Sequence, residues 1–427
     1  MLDVKLIRDN PEDIKRRLND RLINCDEQID RIMVLDALRR ELIQKTETAK
    51  SEQNKVSKEI PQMKKQGLDT APIFEKMNVL KEQIKASEQQ LREVEDEYSE
   101  LLLSLPNLPD GDLKPGGKEN NTPLSFFESK FQPEGEKNHF DLCSDLGIID
   151  YERGAKLAGS GFWIYRGLGA RLEWALLNFF IENHSADGYE FMMVPHMLNY
   201  ECGLAAGQFP KFKDDVYWLD EGEENRHFML PTAETALAGL HRDEILTEAS
   251  LPRKYVAYSP CFRREAGSYR SEERGTLRGH QFNKVEMFQV TAPEKSMEAF
   301  EELVVRAENL VRALGLKFRT VKLAAGDCSA SMARTYDIEV YIPSIKDYKE
   351  VSSVSNARDY QARRGNIRFR REDGKIEFCH TLNGSGLATS RVLPAIVEQY
   401  QLSDGSIMVP EVLRRFLNGR ERISKDD

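Results

Sequence analysis

The stretch CFRREAGSYRSEERGTLRGHQFNKVEMF, residues 261–288, places arginines and glutamates within and between two segments that read as β-strands joined by a loop. Side chains alternate along a strand, so Arg263 and Glu265 share one face of the first segment. The second segment has its own shared face: Phe282, Lys284 and Glu286. If the two faces coincide, a guanidinium, two carboxylates and an aromatic ring could together clamp a phosphate, hold an ammonium and stack a base. A network of Arg–Glu pairs on a solvated sheet face would give the same pattern, so further features must decide.

Three other stretches of the C-terminal half favour a nucleotide site. NGSGLATSR, residues 383–391, reads as a glycine turn that leads into a helix carrying Arg391, and helix starts and arginines attract phosphates. In YKEVSSVSN, residues 348–356, alternation puts Glu350 and Ser352 on one face with Ser353 beside them, which suits a magnesium ion carried on nucleotide phosphates. LPTAET, residues 230–235, adds polar groups at a strand end. No Walker A loop and no G-x-G-x-x-G after a strand occurs, so the site would have to lie on the sheet.

The segment from about 27 to 104 has a different composition. Apolar residues recur there every seven positions, with a short Gly/Pro break at GLDTAP that predicts an antiparallel helical hairpin. The first arm carries Leu35, Leu42, Ala49, Val56 and Met63; the second carries Ile73, Leu80, Val94 and Leu101 interleaved with Met77, Ile84, Leu91 and Tyr98. Heptads alone favour a structural or dimerising coiled coil over a binding element. LPNLPDGDLKPGGKENNTPL, residues 105–124, reads as a linker.

Composition limits the classes of function. The chain has 427 residues and a net charge of −10, so nucleic acid could be bound only through a local basic surface. Its 6 cysteines form no C-x-x-C pair, which is typical of reduced thiols in a cytosolic protein rather than of a zinc site. The N-terminal residues lack the apolar core of a signal peptide, and no apolar run is long enough to span a membrane. Mixed strands and helices after residue 124 predict an antiparallel α+β sheet.

In this order, the segments resemble a known family. The chain is similar to bacterial-type seryl-tRNA synthetases, which are class II aminoacyl-tRNA synthetases. Motif 1 of that class corresponds to the helix and strand that end at Pro195, motif 2 to the opening stretch, and motif 3 to LNGSGLATSRVLPAIVEQY. GQFPKF, PTAE, TYDIEV, EVSSVSN, YQARRGNIRF and HTLNGSGLA are also family-like. The resemblance implies a tRNA-binding domain over 1–104 with the hairpin arm, the linker 105–124, and over 125–427 a class II catalytic domain on a mainly antiparallel sheet flanked by helices.

The resemblance also implies roles for individual residues. Arg263, Arg391 and Glu350 would be catalytic, with Glu350 and Ser353 as magnesium ligands. The serine pocket would be formed by Thr232, Ala233, Glu234, Arg263, Glu286, Thr381, Asn383 and Ser385. ATP would be bound by Arg263, Arg264, Glu265, Phe282, Glu350, Val351, Ser352, Ser353 and Arg391. The hairpin would contact the long variable arm of serine tRNA through Lys50, Lys55, Lys58, Lys64 and Lys65.

The implied reaction is activation of L-serine by ATP to seryl-adenylate, followed by transfer to the 3′ end of serine tRNA and, where the organism has one, of selenocysteine tRNA. A cytoplasmic homodimer is implied, with no membrane or DNA partner. Some residues differ from the family pattern beside the assigned sites: Thr276, Gly279, Val354, Thr389 and Ser390. Two alternatives stay open: a paralogue that activates serine for a carrier or a biosynthetic pathway, and a non-catalytic RNA-binding homologue.

Overall fold

The computed structural model describes residues 1–222, 227–265 and 275–425. Its α-helices are α1 Val4–Asp9, α2 Pro11–Asp20, α3 Asp26–Lys65, α4 Ala71–Ser104, α5 His139–Asp145, α6 Tyr151–Ala158, α7 Gly167–Ala186, α8 Tyr200–Ala205, α9 Ala233–Gly239, α10 Ser296–Ala313, α11 Tyr360–Gly365, α12 Thr389–Gln399 and α13 Glu411–Arg414. Its strands are β1 Thr122–Phe127, β2 Ile149–Asp150, β3 Ile164–Tyr165, β4 Glu190–Met193, β5 Met197–Asn199, β6 His227–Met229, β7 Ile245–Thr247, β8 Arg253–Phe262, β9 Gln281–Thr291, β10 Phe318–Lys322, β11 Arg334–Ile342, β12 Asp347–Arg358, β13 Arg368–Arg370, β14 Ile376–Phe378, β15 His380–Ala388, β16 Ile407–Met408 and β17 Arg422–Ile423.

One compact unit contains the helical hairpin and comprises residues 2–19 and 24–106. Helices α3 and α4 pack along each other as the heptads predict, because the a and d positions of each arm face the other arm. Leu35, Leu42 and Val56 of α3 and Leu80 and Ile84 of α4 are buried along this seam. The hairpin arm predicted from the sequence is therefore confirmed.

Ion pairs between the two helices flank the same seam. Arg31 pairs with Glu97 at 2.6 Å, and Lys50 pairs with Glu88 at 2.7 Å. Exposed pairs of this kind contribute about 0–1 kcal/mol each, so the buried apolar positions carry most of the stability.

The second unit comprises residue 1, residues 20–23 and residues 107–427 and is built on an eight-stranded sheet. The strand order is β1-β10-β11-β12-β15-β9-β8-β4, and every neighbouring pair is antiparallel except β4 and β8. This confirms the predicted α+β class. In the predicted linker, β1 begins at Thr122 and the Asn107 amide donates to the carbonyls of Ser331 and Ala357, at 2.9 and 2.8 Å. The domain boundaries themselves remain predictions.

The sheet is buried on both faces at β8 and β9. Alternate residues enter different apolar clusters: Val256 and Met287 pack with α7, α10 and α12, whereas Ala257 and Phe288 pack with α9 and α11. Phe282, Lys284 and Glu286 have the same parity as Phe288 along β9. The charged face of the opening stretch therefore lies on the α9 side of the sheet.

The predicted glycine turn at residues 383–391 is wrong, because these glycines lie inside strand β15. A Cβ at Gly386 would lie 2.2 Å from the His184 ring, and one at Gly384 would lie 3.2 Å from a methyl of Val354. Glycine here permits close packing of the strand rather than a change of chain direction. The helix that carries Arg391, α12, begins at Thr389 as expected. Among the described residues, no helix is long and apolar enough to cross a membrane.

Candidate active site

A cavity of about 520 Å³ opens on the α9 side of the sheet. Its walls come from the start of α9, the end of β8, and strands β9, β12 and β15. Many of the predicted site residues line it: Thr232, Glu234, Arg263, Glu265, Glu350, Ser353, Asn383 and Ser385. Side chains that are far apart in the sequence thus converge on one cavity, as the alternation of side chains along the two strands of residues 261–288 predicts.

The carboxylate of Glu286 has no exposed surface and lines neither cavity, but three residues that line the large cavity contact it. Lys284 pairs with its Oε2 at 2.7 Å, the Ser385 hydroxyl donates to the same oxygen at 3.3 Å, and the Asn383 amide donates to Oε1 at 3.1 Å. Asn383 Oδ1 is buried with no hydrogen-bond partner among the described residues. A buried acceptor of this kind is costly unless a ligand satisfies it, so a polar ligand group fits here.

The carboxyl of Glu234 lies on a second wall and is held from behind. Gln361 donates to Glu234 Oε1 at 2.9 Å and to the Ala206 carbonyl at 3.0 Å, and its own oxygen accepts from Thr381 at 2.6 Å. Both amide hydrogens of Gln361 are thereby used, which fixes its orientation and leaves Glu234 Oε2 for the cavity. Thr381 therefore lies one residue behind the cavity wall.

The pKa of the Glu234 carboxyl is raised to about 7, first by burial and then by repulsion from Glu286. Lys284, the hydrogen bond from Gln361 and Arg263 oppose this rise. The repulsion between these two buried carboxyl groups would be relieved by the positive charge of a substrate ammonium.

A smaller cavity of about 80 Å³ adjoins the first and is lined by Phe282 and Arg391. The guanidinium of Arg263 lies 5.1 Å from the centre of the Phe282 ring, and its Nε donates to the Pro231 carbonyl at 3.2 Å. Arg391 reaches across to Glu350, donating to its carbonyl at 2.9 Å. Two guanidiniums and an aromatic ring around one gap can bind a polyphosphate and stack a base.

A β-bulge changes the predicted face of β12. Ser352 pairs with Ile338 but Glu350 pairs with the next residue, Glu339, so Val351 is the extra residue. As a result Glu350 and Ser353 line the large cavity, while Ser352 is buried and donates to the Ser385 carbonyl at 2.5 Å. The prediction that Glu350 and Ser352 share a face is therefore wrong, because the bulge shifts the alternation by one.

The donor set of Glu350 and Ser353 fits a magnesium ion. A carboxylate and a hydroxyl at the wall of an open cavity are the oxygen ligands that Mg²⁺ uses when it keeps most of its coordination for phosphates and water. Among the described residues, no cluster of three or more His, Cys, Asp or Glu side chains could hold a metal by itself. A metal ion here would therefore need further ligands from a bound substrate.

Some predicted site residues lie away from the cavities. Arg264 is exposed and donates to the Asp214 carbonyl at 3.3 Å. Ala233 and Val351 are buried. The loop residues Arg270, Glu272, Glu273 and Arg274 lie outside the described residues.

The departures from the family pattern have partners in this chain. Thr276 donates to the Ser390 carbonyl at 2.9 Å, and Thr389 donates to Glu173 at 2.5 Å. A Cβ at position 279 would lie 2.2 Å from the Trp163 ring, so glycine there makes room for the tryptophan. Val354 is buried opposite Gly384 on the neighbouring strand.

Gln361 was missed by the sequence reasoning, although it lies in the YQARR segment that the resemblance included. Sequence periodicity cannot identify a residue such as Gln361, which supports a cavity residue by a hydrogen bond without lining the cavity itself. Lys284 lies on the predicted charged face without an assigned role, although it is two residues from Glu286 on β9 and pairs with it at 2.7 Å.

The cavities, the antiparallel sheet and the hairpin together define a class II aminoacyl-tRNA synthetase. A family model described as tRNA synthetase class II core domain (G, H, P, S and T) matches residues 217–400, and one described as seryl-tRNA synthetase N-terminal domain matches residues 1–109. The chain belongs to the seryl-tRNA synthetase family.

Relatives over the full length support this assignment. A protein named serine–tRNA ligase 2 from Clostridium acetobutylicum is 56% identical, with 99% of this chain and 100% of that protein covered. Serine–tRNA ligase from Chlorobaculum parvum is 47% identical, covering 97% and 98%. The crystal structure of seryl-tRNA synthetase from Pyrococcus horikoshii complexed with ATP superposes with a TM-score of 0.92 at 33% identity, covering 99% of each chain.

Proposed function

We propose that this chain is a serine–tRNA ligase that activates L-serine with ATP to seryl-adenylate and transfers the seryl group to the 3′ end of serine tRNA. The observation that carries this proposal is the pair of buried carboxyls, Glu234 and Glu286, next to the Arg263–Phe282 contact in one continuous region. The two carboxyls suit the ammonium and hydroxyl of serine, and the arginine with the aromatic ring suits a nucleotide. The similarity covers the full length and includes the N-terminal domain, which favours this function over a carrier-loading paralogue or a non-catalytic homologue.

In the first step, an oxygen of the serine carboxylate attacks the α-phosphorus of ATP, and the bond to pyrophosphate breaks. Arg263 stabilises the charge that develops on the α-phosphate, and Arg391 holds the far phosphates while closing the base against Phe282. Magnesium held by Glu350 and Ser353 would supply charge neutralisation of the leaving pyrophosphate when bound. No covalent enzyme intermediate is needed, because positioning and charge stabilisation suffice.

In the second step, a hydroxyl of the tRNA's terminal ribose attacks the carbonyl carbon of seryl-adenylate, and AMP leaves. We do not assign His380 as the base that takes the proton from this hydroxyl. Its Nδ1 lies 2.9 Å from the Ser296 hydroxyl, and burial lowers its pKa to about 4.

Serine selectivity follows from the polar groups around Glu286. A site that hydrogen-bonds the substrate hydroxyl rejects an analogue without it strongly, because its own groups are left unpaired. With a panel of amino acids, we expect ATP–pyrophosphate exchange with serine and a kcat/KM at least about 10³-fold lower with alanine. Exchange with alanine comparable to that with serine would contradict the assigned pocket.

The ionisation of Glu234 predicts a pH dependence for serine. The ammonium of serine binds the carboxylate form, so KM for serine should rise about tenfold per pH unit as the pH falls below about 7. Glu234→Gln should weaken serine binding and flatten this profile. A wild-type profile that is flat between about pH 5.5 and about pH 8 would show that Glu234 does not titrate in this role.

The same shift affects stability with a defined sign. The folded-state pKa of Glu234 lies above its ordinary value of 4.5, so the carboxyl's stabilising contribution is complete below pH 4.5 and is lost as the pH rises through about 7. Bound serine should offset this loss, because its ammonium pairs with the ionised form.

The arm is proposed to bind the long variable arm of serine tRNA. Near its tip, Lys55, Lys58, Lys64 and Lys65 are exposed, and none of them forms an ion pair within the described ranges. Lys50 is also exposed but is paired with Glu88, so its contribution requires that pair to open.

Reversing charge near the tip tests the arm. Lys58→Glu with Lys65→Glu should raise KM for serine tRNA about tenfold or more while leaving serine-dependent exchange unchanged, since phosphate contacts act only on the tRNA. Lys45→Glu, which alters a lysine paired with Glu41 on the same helix, is the matched control. A parallel loss of exchange would indicate misfolding instead of lost tRNA contacts.

A homodimer is proposed through the free edge of the sheet. Strand β4 is the last strand of the sheet order, and large apolar side chains are exposed on it and on the neighbouring helix α7: Phe191 is 43% exposed, Met193 82% and Trp174 54%. Light scattering should give twice the chain mass, and Met193→Lys should lower it toward one chain at dilute concentration. Leu157→Lys, at an equally exposed apolar residue on α6, should not. A wild type that scatters as one chain would contradict the dimer.

The proposed compartment is the cytoplasm, because the tRNA substrate is charged where translation consumes it. Charging of selenocysteine tRNA by the same site is proposed only where such a tRNA exists.

A further inference from the structure

A buried carboxylate on α7 has no place in the reaction described above. Glu173 is 3% exposed, and its Oε1 accepts hydrogen bonds from the Thr389 hydroxyl at 2.5 Å and from the Asn283 amide at 2.8 Å. Burial raises the pKa of this carboxyl to about 7. Taking a carboxyl out of water costs free energy, and the two contacts at Oε1 offset only part of that cost, because Oε2 is buried with no hydrogen-bond partner among the described residues.

The two partners of Glu173 lie next to the two sides of the smaller cavity. Asn283 follows Phe282 on β9, and Thr389 is the first residue of α12, two positions before Arg391. The Thr389 hydroxyl also lies 3.1 Å from the Asn283 carbonyl. One carboxylate oxygen therefore ties α7, β9 and the start of α12 together.

A second set of contacts fastens the start of α12 on its other side. The Thr276 hydroxyl donates to the Ser390 carbonyl at 2.9 Å, and Arg391 Nε donates to the Leu277 carbonyl at 3.3 Å. The start of α12 is thus held from two directions before any ligand binds. The hydroxyls of Thr276 and Thr389 come from positions that differ from the family pattern, whereas Ser390 and Leu277 take part through their backbone carbonyls.

We propose that Glu173 is a positioning residue for the adenosine end of ATP, setting the gap between Phe282 and Arg391 through Asn283 and Thr389. The inference rests on the proposed function, which assigns the base to that gap. Glu173 lines neither cavity. Its loss should therefore affect ATP binding and leave the serine pocket, formed by Glu234 and Glu286, unchanged.

The test combines titration calorimetry of ATP with magnesium and exchange kinetics at varied ATP and serine. Glu173→Leu should weaken ATP binding about tenfold, the equivalent of one buried hydrogen-bonded acceptor, with KM for serine within about twofold. Glu173→Gln keeps an oxygen acceptor and should restore ATP binding. Thr389→Val should weaken ATP binding by a smaller factor, and combining it with Glu173→Leu should weaken binding no further than Glu173→Leu does alone.

A matched control separates positioning from stability. Glu398 is a fully buried carboxylate on α12 that accepts from His139 and Ser344, outside both cavities. Glu398→Gln should lower the melting temperature without a selective change in ATP affinity. If Glu173→Leu behaves in this same way, the inference is overturned. If Glu173→Leu does not fold, Thr389→Val decides by the same criterion.

The proposed function and the inference can fail separately. A wild type that binds ATP without exchange contradicts the function, while the ATP titrations of the variants still decide the role of Glu173. A wild type that does not bind ATP contradicts both.

Discussion

Replacing Glu286 with alanine is expected to abolish serine-dependent pyrophosphate exchange. The carboxylate is fully buried and is contacted by Lys284, Asn383 and Ser385. Its removal takes away the acceptor for serine and leaves the Lys284 ammonium buried and unpaired. Removing one partner of a buried ion pair costs about 3–5 kcal/mol, roughly 10²–10⁴ in an equilibrium constant.

Two variants make the Glu286 result interpretable. Glu286→Gln preserves the shape and most hydrogen bonds, so it should fold even if Glu286→Ala is unstable, and it should still lose most exchange. Glu301→Ala, at an exposed glutamate on α10, should leave exchange unchanged. Near-normal exchange in folded Glu286→Ala would remove Glu286 from the serine pocket.

The second large effect is expected at Arg263. Its guanidinium lines both cavities and stacks at 5.1 Å over Phe282, which places a fixed positive charge where serine and ATP would meet. Arg263→Ala should lower kcat for exchange about 10³-fold or more, as the loss of an arginine that stabilises phosphoryl-transfer charge does elsewhere. Arg263→Lys should recover only a small part, because lysine lacks the planar fork.

The neighbouring arginine supplies the contrast. Arg264 was predicted to bind ATP, but in the described part of the chain it lines neither cavity and donates to the Asp214 carbonyl. Arg264→Ala should change kcat and KM for ATP by less than about threefold. Equal effects at the two positions would indicate a general charge contribution rather than positioning by Arg263.

Local patterns in the sequence predict much of this architecture. The heptads predict the two arms of the hairpin because a seven-residue period has one structural solution over such lengths. The alternation in β9 predicts that Phe282 and Lys284 share a face, and both line the smaller cavity. The resemblance then assigns chemistry to positions that periodicity leaves unassigned.

The features that the sequence did not reveal depend on contacts between distant segments. The bulge at Val351 exchanges Ser352 for Ser353 at the cavity, and nothing in the letters EVSSVSN marks an extra residue. Gly386 reads as a turn until His184 is found against its backbone. Gln361 and Glu173 act from behind other residues, so only the packed structure relates them to the cavities.

We expect this one chain to combine a serine-activating site with a tRNA-binding arm. The most direct measurement is charging of serine tRNA by the full chain with ATP, magnesium and labelled L-serine, beside a tRNA with a short variable arm. We predict acid-precipitable seryl-tRNA formed with serine tRNA and little or none with the second tRNA. Serine-dependent exchange without charging, or equal charging of both tRNAs, would contradict it.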